Sequence, residues 1–546
     1  MTHIHPAAPA LAREVADGTL SRREFLTRAT ALGVAAPAAY ALLGLNAPAV
    51  AQQAIPAQGG TLRMQMSVRA IKDPRTADWS EIGNLLRGPL DYMVQYNNDG
   101  TFTPMLLEAW EVNEDATEYV LRVRPGVTWS NGEAFTASDV ARTFEYWCDS
   151  EVEGNTMASR LSVLVDEATG ALIEGSVEVV DDLTVRLYLP RPDITIIPSM
   201  ADYPAAVPHP TFDPGDPAAI VGTGAYTLAE LEVGQRAVFE RRESWWGTEV
   251  HGGPYLDRIE FLDYGTDPAS WLAAAEAGEL DILYETTGEF IEVFDTIGWE
   301  KSDVVTSATL TVRFNQLAEV DGIRPYADPR VRRALIMATD NELVLELGYS
   351  GLGAPAENHH VAPIHPEYAE IPNIPHDPDG ARALLEEAGM ADFEHELVSI
   401  DDDWRRNSSD AVAAQLRDAG IPVRRVVAPG STFWNNWLQY PFSSTNWNHR
   451  PLAVQILNLA YRSGVPWNET GFSSEEFDRV LDAALSVADA DQRREHARRL
   501  EEIMLEEAVT IQPYWRALYR HMRPGIIGAD MHISFEVHPT KIGFDA

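Results

Sequence analysis

Between residues 401 and 470 the chain gathers the side chains best suited to holding another molecule. These are Trp404, Trp437, Trp447 and Trp467, with Asp401-Asp402-Asp403, His449, Arg450 and Asn468 among them. Indole faces stack on flat, sugar-like or cationic groups. A buried guanidinium pairs bidentately with carboxylate or phosphate, and a carboxylate with an ammonium. These residue types bind, and no motif that would cut or transfer accompanies them. The chain has no Gly-x-Ser-x-Gly elbow, no His-Glu-x-x-His, no phosphate loop and no Gly-x-Gly-x-x-Gly after a strand, so neither turnover nor a cofactor is expected. His359, His360, His365 and His376 form a second group of coordinating side chains. They lie in a Pro-rich stretch without the i,i+4 spacing of a helical metal site, so a solvated loop is expected and no metal. Cys148 is the sole cysteine, which excludes an intramolecular disulfide and thiolate clusters, and its setting after Phe144-Glu145-Tyr146-Trp147 predicts a buried, inert thiol.

The elements that must position these groups announce themselves by their ends. Tyr119–Arg124 is rich in β-formers, and Thr136 with Asp139 forms a capping box for a helix running to about Trp147. Val177–Val180 and Leu183–Leu189 predict a hairpin around Asp181-Asp182. Asp267-Pro268, Asp328-Pro329 and Asp377-Pro378 each supply an N-cap followed by proline, with Gly278 and Gly389 as stops for the first and third. Ser473 with Glu476 predicts another capped helix containing Phe477, Val480 and Leu481. Helices and strands interleave along the whole length, which predicts a mixed α/β (α+β) fold of several domains and excludes a propeller, solenoid or bundle.

A chain of 546 residues exceeds one hydrophobic core, and 45% hydrophobic with 23% charged residues is the composition of a packed protein. The formal charge is −41, and lysine occurs three times, at Lys72, Lys301 and Lys541. Such a surface repels phosphate backbones and anionic lipid, so nucleic acid is not an expected partner. Arg22-Arg23 ahead of an Ala/Leu/Gly-rich run resembles a twin-arginine export signal, and Ala49-Val50-Ala51 predicts cleavage after Ala51. Residues 1–51 are thus read as an address and the remainder as a periplasmic protein. No later run is long enough for a transmembrane helix.

The segment Gly126–Val140, GVTWSNGEAFTASDV, resembles the most recognisable block of the extracellular solute-binding family that includes oligopeptide-, dipeptide- and nickel-binding proteins. Pro104–Trp110, Gly222–Tyr226, Asp328–Leu335 and Asp377–Gly389 resemble four further blocks in the family's order. The resemblance implies a two-lobed clamp that closes on a small solute, a peptide or modified amino acid, and delivers it as a monomer to an ABC permease. A saccharide- or opine-like solute and a nickel-type metal chelate are the alternatives on the same scaffold. It further implies lobe I in 54–95, 213–305 and 506–546, a small extra domain in 96–212, and lobe II in 306–505. Chain crossings near Thr306–Arg313 and Val509–Pro513 would form the hinge. Family members anchor a peptide amine on the aspartate of a G-W-x-x-D motif. Here Asn446–Arg450 occupies that place, with Trp447 matching and Arg450 replacing the acid. The expected ligand contacts are Trp447, Arg450, His449, Trp437, Trp404, Asp403, Trp467 and Asn468. Arg450 either meets an anionic ligand group or pairs with an acid of the protein.

Overall fold

The computed structural model describes residues 5–18, 20–45, 55–487 and 490–545. Two long strands, Glu300–Phe314 and Tyr514–Met522, form its spine. Ala308, Leu310, Val312 and Phe314 alternate with Thr309, Thr311 and Arg313, and all seven are buried. A strand covered on both faces must satisfy its polar side chains internally. The Thr309 hydroxyl does so by donating to the Tyr514 carbonyl at 2.7 Å.

Around this spine, twelve of the described strands form one sheet. On one side Thr61–Gln65 pairs in parallel with Arg258–Leu262 and Ile282–Leu283, and Arg236–Arg241 and Tyr226–Glu232 extend it antiparallel. On the other side His395–Ile400 pairs in parallel with Val423–Ala428 and touches Phe442–Trp447 at Val398 and Ser443. The long strand serves both sides. Its Glu300–Val305 portion pairs with Ala517–Met522, its Thr309–Phe314 portion pairs with Phe442–Trp447, and the register shifts between Val305 and Thr309. A shift of this kind bends the strand and raises its local twist, so the two halves of the sheet face one another across an angle.

Most of the capped elements form where the caps place them. The Asp139 carboxylate accepts the Thr136 amide at 2.9 Å, and the helix runs Ala137–Trp147. Asp267, Asp328 and Asp377 cap Pro268–Glu276, Pro329–Met337 and Pro378–Glu387. Gly278 and Gly389 adopt φ of +72° and +70° beyond their helices, a conformation open to glycine at little cost. The cap near residue 473 is displaced by one. Ser474 accepts the Phe477 amide, while the Ser473 hydroxyl bonds Ser463 at 3.0 Å. A separate four-stranded antiparallel sheet contains Leu107–Val112, Glu118–Val123, Thr184–Tyr188 and Val177–Asp181, the last two being the expected hairpin. Cys148 is buried, and burial pushes its thiol well up.

The N-terminal region forms three helices, Ala8–Ala16, Arg22–Ala31 and Ala36–Leu42, with a small core of their own around Phe25, Leu26 and Tyr40. They lean on the body: the Trp110 indole donates to the Thr30 and Ala31 carbonyls, and Tyr40 to Asp99 at 2.8 Å. Arg23 donates to the Asn98 carbonyl and the Tyr96 hydroxyl. The expected cleavage position after Ala51 lies outside the described residues. No helix among the described residues is long and apolar enough to cross a membrane.

Candidate functional site

A cavity of about 150 Å³ lies between the two halves of the sheet. Its indole walls come from both sides. Trp79 follows the strand Thr61–Gln65 in the chain, whereas Trp434, Trp437, Trp447 and Trp467 belong to the other half. Trp79 and Trp434 meet directly, with ring centroids 3.9 Å apart, and Trp437 stands edge-on to Trp79 at 6.2 Å. Trp447 closes the strand Phe442–Trp447 and is held there by its Nε1, which donates to Glu469 at 2.8 Å. Glu469 in turn pairs with fully buried Arg313 at 3.1 Å, so the position of one cavity indole is set by an ion pair inside the spine. Trp467 stands edge-on to Trp447 at 5.8 Å and lies near-parallel to Tyr203 at 6.2 Å.

The cavity's buried arginines are matched by carboxylates. Arg405 pairs with Asp402, and Arg516 pairs with Glu285. Burial raises the Asp402 and Glu285 carboxyls, with Arg405 and Arg516 opposing it. Arg450 pairs with Asp202 at 2.8 Å, and Asp202 also receives Arg160 at 2.7 Å. Burial acts to raise Asp202, but the two guanidiniums win and hold it below the usual carboxylate range. The Arg450 charge is thus satisfied within the protein, by an acid 248 positions earlier in the chain. Asp403 accepts the Thr287 hydroxyl at 3.0 Å, and Thr266 donates to the Asp401 carbonyl at 2.8 Å, so both bonds also tie one side to the other.

Six of the eight expected residues line this cavity: Trp404, Asp403, Trp437, Trp447, Arg450 and Trp467. The other two do not. His449 lies beyond the end of its strand and turns into the core, where Nδ1 meets the Ser307 hydroxyl at 2.7 Å and Nε2 faces the Tyr96 hydroxyl at 3.4 Å. Asn468 braces its own loop by donating to the Arg462 and Phe472 carbonyls. The expectation of a solvated histidine loop also needs correction. His376 is exposed, but His359, His360 and His365 are buried. His360 Nδ1 contacts the Tyr461 hydroxyl at 3.0 Å, and His365 Nδ1 accepts the Ala362 amide. Burial lowers both imidazoles, His365 to about 4, so they are neutral packing groups. Sequence reasoning missed Trp79, Trp271, Glu285, Arg405 and Arg516 at the cavity. They are scattered through the chain, and only the three-dimensional pairing of the sheet halves brings them together.

The model for bacterial extracellular solute-binding proteins, family 5, matches residues 101–466. This chain belongs to that family. Among its relatives, the heme-binding protein A of Haemophilus influenzae is 22% identical over 446 residues, which are 76% of this chain and 79% of that one. A probable peptide ABC transporter periplasmic-binding protein of Sinorhizobium fredii is 26% identical over 435 residues, 74% of this chain and 75% of its own. The structure of the oligopeptide-binding protein AppA of Bacillus subtilis, in complex with a nonapeptide, superposes with a TM-score of 0.78 at 17% identity, covering 90% of this chain and all of that one. That of AgaA from A. tumefaciens with agropinic acid gives 0.78 at 20% identity, over 89% and 99%. The fold is therefore the two-lobed clamp of periplasmic binding proteins, as the sequence blocks implied. The family works outside the cytoplasmic membrane, binding solutes for ABC transporters.

Proposed function

We propose that this chain captures a small solute of the peptide or modified amino acid class by closing its two sheet halves around it, and hands the closed form to an ABC permease. The observation that carries the reading is the indole-walled cavity between the halves, bridged by Trp79–Trp434, Thr287–Asp403 and Thr266–Asp401. Contacts that exist only when the halves meet stabilise the closed state, and a solute held between them shifts the population further toward it. The hinge is formed by the two chain crossings near Thr306–Arg313 and Val509–Pro513, next to the register shift between Val305 and Thr309. Lobe I comprises 54–95, 213–305 and 506–546, with 96–212 as its extra domain and 306–505 as lobe II. Export by the twin-arginine route, with cleavage after Ala51, accompanies this reading.

The cavity's arginines are already neutralised and its volume is about 150 Å³, below the range of drug-sized pockets. Both facts favour a compact solute gripped by indole faces over a long peptide anchored at its termini. An opine-like or sugar-like solute is the second reading, and the same indole walls favour it. Native mass spectrometry of protein purified without denaturation tests both. The expected result is one retained small molecule, with dissociation quenching or releasing indole fluorescence. A protein that retains nothing, and whose fluorescence answers to no peptide, opine or sugar, would remove the reading.

A further inference from the structure

A second cavity, of about 500 Å³, lies beside the segment 527–542 and shares no lining residue with the cleft. Its charge is arranged differently. Arg520 is 1% exposed and lines it. Its guanidinium donates from Nε to the Tyr284 carbonyl at 3.1 Å, and from Nη1 to the Ala529 and Asp530 carbonyls. Nη2 has no hydrogen-bond partner, and no carboxylate among the described residues forms an ion pair with the group, Asp530 and Glu285 acting on it only from a distance. Lys541, one of three lysines, also projects into the cavity. Lys72 and Lys301 are ion-paired, at 2.9 and 2.6 Å, whereas the Lys541 ammonium makes no hydrogen bond or ion pair among the described residues. Its side chain is exposed to solvent, yet the protein around it still lowers its ammonium, Glu536 opposing and Arg87 adding to the effect. His251 Nε2 is a third unpartnered nitrogen on the wall. Of the two carboxylates there, Glu536 turns Oε1 to Arg87 at 2.9 Å and keeps Oε2 3.3 Å from His538 Nε2 with no hydrogen bond, and Asp530 is exposed. A buried guanidinium nitrogen without a partner, beside an ammonium without an ion pair, is an arrangement that favours negative charge.

We infer that this cavity is a second ligand site, specific for a multiply charged oxyanion bearing carboxylate or phosphate groups, held between Lys541 and the free Nη2 of Arg520. A metal ion is the competing occupant, because His532, Glu536 and His538 bring ligand atoms within 4.8 Å of one another. The hydrogen bonds argue against it. His532 Nδ1 accepts the Ser534 amide at 3.2 Å, so Nε2 carries the proton and donates to the Tyr96 carbonyl at 3.1 Å. No lone pair is left for a metal on that ring, and Arg87, Arg520 and Lys541 oppose a cation there. The same cations, after burial, hold the His538 imidazole neutral.

Isothermal titration of the purified full chain with sodium phosphate and with citrate, at matched ionic strength, tests the site. The expected result is saturable binding of one or both anions, and the stronger arm tells phosphate from carboxylate chemistry. Lys541→Gln, which breaks no contact, should weaken that binding about tenfold, the loss of one charge-assisted bond. Trp434→Ala, which alters the cleft alone, should leave it unchanged. The inference is overturned if neither anion binds, if Lys541→Gln binds as wild type does, or if Trp434→Ala abolishes binding. Zinc binding that Lys541→Gln strengthens would also overturn it, in favour of the metal.

Discussion

The molecule holds two cavities that treat charge in opposite ways. In the cleft between the sheet halves, Arg405, Arg450 and Arg516 each have a carboxylate partner, so recognition falls to indole faces and to shape. In the second cavity Arg520 and Lys541 have none. A paired cation is structure, because removing it strands a buried acid. An unpaired one strands no acid when it is removed and remains available to a ligand.

The sharpest test of that contrast is Arg450→Ala. It leaves Asp202 with Arg160 alone in a buried site, and should cost about 3 kcal/mol of stability, read by chemical denaturation. Next comes Trp434→Ala. It removes the indole that meets Trp79, and should weaken the solute found by native mass spectrometry about ten- to a hundredfold, measured by titration calorimetry. A third case inverts the comparison: Glu501 is a buried acid with no ion pair among the described residues, raised to about 9 by burial and then by the charge of Glu357. Because its folded pKa lies above its unfolded one, its contribution to stability is present at low pH and is lost as pH rises from about 4 toward 9. Glu501→Gln should therefore gain on wild type by about 2 °C in Tm between pH 6 and pH 8, measured by calorimetry. The smallest effect belongs to Lys541→Gln in anion-free buffer, which should change unfolding free energy by less than about 0.5 kcal/mol. A large loss there would show that Lys541 is structural after all, and would erase the distinction between the two cavities.

What the sequence made legible follows from the range of the interactions involved. Caps such as Asp267, Asp328 and Asp377 act within three residues, so their helices could be read from the chain. The indole wall from Trp404 to Trp467 was legible as a group because one half of the sheet supplies it. Trp79, Glu285 and Arg516 were not, since each lies far from that group in the chain and joins the cleft only when the sheet assembles. Arg450 shows both sides: its substitution for an acid could be seen in the chain, while its partner Asp202 could be known only once the turn that carries it met the cleft. The histidines 359, 360 and 365 misled because a Pro-rich loop with no helical period can still be roofed over, here by Tyr461 and Glu357.

Phe535 lines the cleft, and its neighbour Glu536 lines the second cavity. The chain thus passes from one chamber's lining to the other's between these two residues. Phe535 stands at φ +63°, a rare conformation for a bulky residue, and its carbonyl accepts from both Asn84 and Tyr284. A segment that serves both linings has no private displacement. To whatever extent the affinity of one chamber depends on where Phe535 sits, the affinity of the other depends on the occupant of the first, by the same factor and in both directions.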